Sequence, residues 1–253
     1  MSRQSSIVTL AVCALLVSGT PAFAQWLDHP TPGITRTKDG KPDLAAPAPR
    51  TADGKPDLSG LWQIDGLGFA TNVTDTPMRP AADRLFKQRV ATYANDDPAV
   101  GCLPEGPRTS LAGLDPLRIV QSPYLIAILY ETGQYRQIFT DARQLPKDPN
   151  PTWMGYSVGR WDGDTLVVET TNFKEHPMGL STSLPSSTRK RLTERFRLSQ
   201  DRKSLNYSGV IEDPVYLARP VEWSGQWLYR PNMPHSNEKC DLDVARKFLS
   251  DFE

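Results

Sequence analysis

One carboxylate falls where a β-strand should bury apolar side chains. Successive strand residues face opposite ways. Residues 189–198 therefore separate into Lys190, Leu192, Glu194, Phe196 and Leu198 on one face and Arg189, Arg191, Thr193, Arg195 and Arg197 on the other. The arginine row reads as a solvated outer face, paired with acids on neighbouring strands. Glu194 on the apolar side needs either an inward cation or a raised pKa, and the second condition suits general acid–base catalysis. Arg136, in the strand-like run 135–140, is the candidate partner. Inward carboxylates are more often partners of arginine than catalysts, so catalysis by Glu194 is the narrower expectation. In residues 221–230 the same parity gathers Val221, Trp223, Trp227 and Tyr229 around Gly225. Such an aromatic face becomes either solid core or the wall of a small-molecule cavity.

Gly155-Tyr156-Ser157-Val158-Gly159 matches the G-x-S-x-G nucleophile elbow, in which a strand-to-helix turn exposes the serine beside an oxyanion hole. Here a hairpin turn, Asp162-Gly163-Asp164, follows instead of a helix. At strand period, Gly155, Ser157 and Gly159 form a smooth face that another layer can approach closely. His176 or His235 completes a triad on paper alone. His176-Pro177-Met178 and Met233-Pro234-His235 pair imidazole with thioether, a donor set that suits copper. Both pairs read as Pro-rich loops, and no pattern brings them together, so no metal and no cofactor is expected. Phosphate-cradling glycine loops, zinc spacings and nucleotide fingerprints are lacking.

These residues need strands to hold them. Runs at 117–122, 124–130, 135–140, 154–161, 165–173, 189–198, 205–212 and 221–230 are β-branched or aromatic, and Asp162-Gly163-Asp164 is a strong hairpin turn. A first apolar element starts at Ser59-Gly60-Leu61-Trp62. Residues 79–94 place Leu85, Phe86, Val90 and Tyr93 near helical spacing, and 244–252 suggest a closing helix. Twenty-three prolines in 253 residues, about twice the usual share, argue against long helices. The expected fold is all-β with minor α: one antiparallel β-barrel or sandwich, an up-and-down meander like that of the lipocalins.

Residues 1–24 read as a signal peptide, with Arg3, an apolar stretch from Ile7 to Val17, and Ala22-Phe23-Ala24 ahead of cleavage before Gln25. An exported chain, periplasmic or secreted, follows from that reading, and no membrane span is expected. Once Cys13 leaves with the leader, Cys102 and Cys240 remain, either bridged or as two buried thiols; an oxidising compartment favours the bridge. Residues 25–57 form a proline-rich extended arm or a disordered leader. They contain a duplication: Thr37-Lys38-Asp39-Gly40-Lys41-Pro42-Asp43-Leu44 returns as Thr51-Ala52-Asp53-Gly54-Lys55-Pro56-Asp57-Leu58. The β domain occupies residues 58–253. Twenty-nine basic residues balance 29 acidic ones, which argues against nucleic acid or an anionic membrane as the main partner.

Three segments together resemble a widespread family of exported bacterial proteins: Lys55-Pro56-Asp57-Leu58-Ser59-Gly60-Leu61-Trp62, then Arg136-Gln137-Ile138-Phe139-Thr140-Asp141, then the run from Trp153-Met154-Gly155-Tyr156-Ser157-Val158-Gly159-Arg160-Trp161-Asp162-Gly163-Asp164 through Thr165-Leu166-Val167-Val168-Glu169-Thr170-Thr171. The resemblance spans most of residues 37–240. It implies export and brings no assigned activity. Many relatives carry Pro-His-Ser-Glu ahead of the strand ending Thr-Glu-Arg-Phe, where this chain has Pro185-Ser186-Ser187-Thr188 before Thr193-Glu194-Arg195-Phe196. Gly60-Leu61-Trp62 also resembles the G-x-W opening of lipocalins, whose Trp plugs the closed end of the barrel.

The leading expectation is a barrel that binds a small apolar or amphipathic molecule. Trp223, Trp227 and Tyr229 would line the cavity, with Arg136 and Glu194 as its polar contacts. One alternative is a hydrolase, lyase or isomerase that uses Glu194 as acid or base; the other is a structural envelope domain with a solid core. Oligomeric state has no signal in the sequence.

Overall fold

A computed structural model describes residues 35–41, 43, 46, 50–65, 76–92, 98–107, 116–148, 150–181, 184–231, 233–235 and 240–250. Residues 1–24, read as a signal peptide, lie outside them. The compact unit Thr35–Glu253 is built on eleven strands. They are β1 (Gly60–Ile64), β2 (Leu117–Gln121), β3 (Leu125–Tyr130), β4 (Tyr135–Phe139), β5 (Tyr156–Asp162) and β6 (Thr165–Thr171), followed by β7 (His176–Ser181), β8 (Leu184–Ser186), β9 (Arg191–Leu198), β10 (Ser204–Glu212) and β11 (Val221–Tyr229). Among the described residues, two α-helices, α1 (Pro80–Ala91) and α2 (Leu242–Ser250), and a short 3-10 helix at Pro98–Gly101 accompany them. Among the described residues no helix is long and apolar enough to cross a membrane.

Nine of the strands close into a barrel in the order β1-β11-β10-β9-β6-β5-β4-β3-β2, so the all-β barrel expected from the strand runs is what forms. An odd ring cannot alternate strand direction throughout. At least one neighbouring pair must run parallel, and here it is β4 with β5. That pairing is confined to Ile138↔Ser157 and Phe139↔Val158, whereas β5 and β6 pair along their whole length from Tyr156↔Thr171 to Asp162↔Thr165. The described residues 140–148 and 150–155 belong to the crossover that a parallel pair requires. The crossover docks on the end of β6: Thr152 N–H donates to Asn172 O at 3.0 Å, and Lys174 N–H to Thr152 O at 2.8 Å.

Burial alternates as the residue parity dictates. On β9, Leu192, Glu194 and Phe196 are buried and Arg191, Arg195 and Arg197 exposed; on β11, Trp223 and Trp227 are buried and Glu222, Ser224 and Gln226 exposed. Trp62 lies in the core with its indole N–H on Leu58 O at 3.0 Å, and its ring is 5.2 Å from that of Tyr229. Arg202 covers the outer side of Tyr229 at 4.7 Å and donates to Ser59 O.

The β7–β8 hairpin was not expected. It forms a separate two-stranded sheet inserted between β6 and β9, and it gives His176 a place in a strand rather than in a loop. The side chains of His176 and Met178 lie outside the described residues. Cys102 and Cys240 form a disulfide with 5.7 Å between their Cα atoms.

The sequence duplication is a structural one. Thr37 N–H and Thr51 N–H each donate to the carbonyl four residues on, Lys41 and Lys55, both at 2.8 Å. Gly40 and Gly54 adopt φ of 77° and 78°, and Arg36 and Arg50 each cap the carbonyl of their glycine. Arg50 also holds Asp164, at the β5–β6 turn, through two bonds of 2.9 and 2.8 Å. Its guanidinium keeps the Asp164 carboxyl below its ordinary range.

Gly155, the first residue of the elbow-like motif, has φ of 69°. A Cβ there would lie 2.7 Å from Phe173 and Thr170 carbons and 2.8 Å from the Thr171 carbonyl. Neither the backbone angle nor the space admits alanine. Gly155→Ala should therefore lower stability by about 2–4 kcal/mol, read from the urea midpoint; a midpoint at the parent value would show that the crossover has room to spare.

Candidate functional site

Inside the barrel, five strands send polar groups to one point. Arg136 of β4 reaches across the parallel seam and donates from Nε to Ser157 Oγ of β5 at 3.1 Å. Its Nη2 donates to Thr170 Oγ1 of β6 at 2.7 Å, and its Nη1 to Glu194 Oε1 of β9 at 3.0 Å. Nη2 also meets Glu194 Oε2, so the pair is bidentate. Tyr207 of β10 donates its hydroxyl to Glu194 Oε1 at 2.9 Å, and the Ser157 and Thr170 hydroxyls are 2.9 Å apart. Arg136 is 1% exposed and Glu194 0%.

Glu194 therefore has the inward cation that its place on the apolar face calls for, and both its oxygens accept hydrogen bonds. Burial works against the charge of Arg136, but Glu194 beside it overrides that and raises its pKa above the ordinary arginine value. Burial, then the charge of Glu194, pushes Tyr207 well above an ordinary phenol, so it remains a donor. Burial likewise raises Tyr130, whose hydroxyl faces the same pair from β3.

The aromatic residues are packed, not open. Trp227 is 0% exposed, stacked on Tyr207 with ring centroids 5.3 Å apart and 5.8 Å from Phe196. Trp223 stands opposite Gly209, whose missing side chain leaves room for the indole.

A cleft of about 660 Å³ lies over the seam. Tyr135, Phe139, Trp153, Met154 and Tyr156 line it together with Cys102 and Cys240, and the buried Arg136 and Ser157 border it. Trp223, Trp227 and Tyr229 do not line it. Phe139 and Tyr156 stack across the seam at 5.2 Å. Arg143 lies 3.8 Å over Phe139 and bonds the Tyr156 hydroxyl at 3.1 Å. Lys174 sits 5.2 Å over the Trp153 ring.

Ser157 thus lies on a strand, faces the interior and is committed to Arg136 and Thr170; no helix follows it. Burial holds the His235 imidazole below its ordinary pKa. Parity locates Glu194, and its need for an inward cation points to Arg136 as the partner. Thr170 and Tyr207 were missed, although both have inward parity, because hydroxyls on a buried face pass for filler until a charge needs them. No family model, no curated protein and no solved structure matches the chain.

Removing one partner of a buried ion pair strands the other charge. Arg136→Met alone should cost about 3–5 kcal/mol. The double variant Arg136→Met/Glu194→Leu should recover a large part of that loss in urea unfolding. Additive losses would show that the two side chains act separately.

Proposed function

We propose that this chain is an exported barrel protein that takes a small apolar or amphipathic molecule into the cleft over the β4–β5 seam. The observation that carries this reading is the make-up of the cleft: aromatic and thioether side chains, with the polar residues Arg136 and Ser157 also bordering it. A cleft of about 660 Å³ falls in the range of small-molecule sites, which combine apolar walls with few polar groups. An apolar body would lie against Trp153, Met154 and Tyr156, and a polar end would point toward Ser157 and Arg136. Export rests on the leader-like residues 1–24 and fits the disulfide at the rim. The motif resemblance to exported bacterial proteins points the same way.

Under this reading Glu194 orients Arg136 and contributes no proton chemistry. Both its oxygens accept hydrogen bonds, from Arg136 and Tyr207, and it does not line the cleft.

Native mass spectrometry and thermal shift against extracted lipids and small aromatics test the proposal. A retained mass with a raised Tm is expected. Trp153→Ala or Tyr156→Ala should weaken that binding by about tenfold or more, the effect of losing one buried aromatic contact. A panel that changes neither mass nor Tm would favour a purely structural domain; binding indifferent to both substitutions would put the ligand elsewhere.

A further inference from the structure

The geometry points to a second site, unrelated to the cleft: a groove at the barrel rim that binds a small dianionic oxyanion, a phosphate or a dicarboxylate. The groove, about 660 Å³, lies where β6 and β10 end and β9 and β11 begin. Arg79, Lys147, Arg189, Lys190, Arg191 and Arg219 line it, against Glu212 and Asp213 alone among acids. In a chain with equal numbers of basic and acidic residues, six cations against two acids is a local concentration of charge. A concave wall of one sign focuses the field on an anion.

One of the two acids is already consumed. Asp213 is 2% exposed and accepts Ser187 N–H at 2.6 Å, Ser187 Oγ–H at 2.8 Å, Val215 N–H at 3.0 Å and Tyr216 N–H at 3.2 Å. Those bonds tie the loop before β9 to the loop after β10. Those two loops carry Arg189 and Arg219. The same fastening extends to the segment before α1. Ala218 N–H donates to Pro77 O at 2.7 Å, Arg79 N–H to Tyr216 O at 2.8 Å, and Arg79 Nε–H to Leu217 O at 2.9 Å. The cations therefore sit on loops held in place before any ligand arrives, which lowers the ordering cost of binding.

Among the described residues, Lys147, Arg189 and Arg219 have no ion pair, and Arg191 reaches Glu169 only at 3.9 Å. Beneath them Lys190, 3% exposed, donates to Ser186 Oγ at 2.6 Å and lies 4.3 Å over the Phe173 ring. A guanidinium fork fits carboxylate and phosphate oxygens alike, which is why the ligand class is the oxyanion and not one compound.

Isothermal titration of the disulfide-bonded chain with inorganic phosphate and with succinate, at low ionic strength, tests the site. Saturable one-to-one binding that weakens with added salt is expected, with preference between the two probes telling which oxyanion geometry fits. Arg189→Ala/Arg219→Ala should weaken it about tenfold or more, the usual effect of losing charge-assisted contacts. Arg195→Ala/Arg197→Ala, two exposed arginines outside the groove, should leave it unchanged. Heats no larger than those of chloride at matched ionic strength would overturn the proposal, as would equal weakening by both double variants. The groove and the cleft share no lining residue, so failure of one leaves the other standing.

Discussion

A closed ring with an odd number of strands must contain a place where two neighbours run the same way. In this barrel that place is the seam between β4 and β5, where backbone pairing shrinks to two residue pairs. Side chains make up the difference on both faces. Inside, Arg136 leaves β4 and bonds residues on β5, β6 and β9, while Tyr207 extends the network to β10. Outside, Phe139 stacks on Tyr156 and Arg143 ties the two rings together. The buried ion pair is thus a cross-brace at the weakest backbone junction. Alone, an interior ion pair adds little net stability because desolvation offsets its attraction. What the network does here is join β4, β5, β6, β9 and β10 at one point.

The cleft follows from the same constraint. A parallel pair needs a long connection, and residues 140–155 return over the outside of the seam to bring Trp153 and Met154 above Tyr135 and Tyr156. Hairpins leave no such overhang. Short pairing below and an aromatic crossover above enclose space, and Arg136 and Ser157 of the brace are among the residues that border it.

Much of this is legible from residue parity. Period two places Glu194 inside, separates the arginine row of β9 from its apolar face and turns Trp223 and Trp227 inward, and the buried carboxylate points to Arg136 as its partner. Asp162-Gly163-Asp164 marked its hairpin, and α1 formed within the helical run. Three features escaped. The parallel pairing is a property of the whole ring, and no local pattern announces it. The segment between the runs at 135–140 and 154–161 has no strand or helix pattern, so nothing in it attaches Trp153 to the seam. The β7–β8 hairpin has a short strand and no turn signature strong enough to declare it. Whether the aromatic face of β11 is open or solid could not be read either, because that depends on how Tyr207 and Phe196 of neighbouring strands fill the space beside it.

Charge has a similar history. A net of zero conceals a neutral interior pair, an exposed arginine row and a cationic rim, with acids such as Asp164 and Asp213 spent on fastening segments together. Hydrogen exchange in the Arg136→Met/Glu194→Met variant tests the cross-brace most directly. If the network closes the seam, amides of residues 136–139 and 156–159 will exchange faster than in the parent while those of β10 and β11 hold their protection. Acceleration spread evenly around the barrel, or none at the seam, would contradict it.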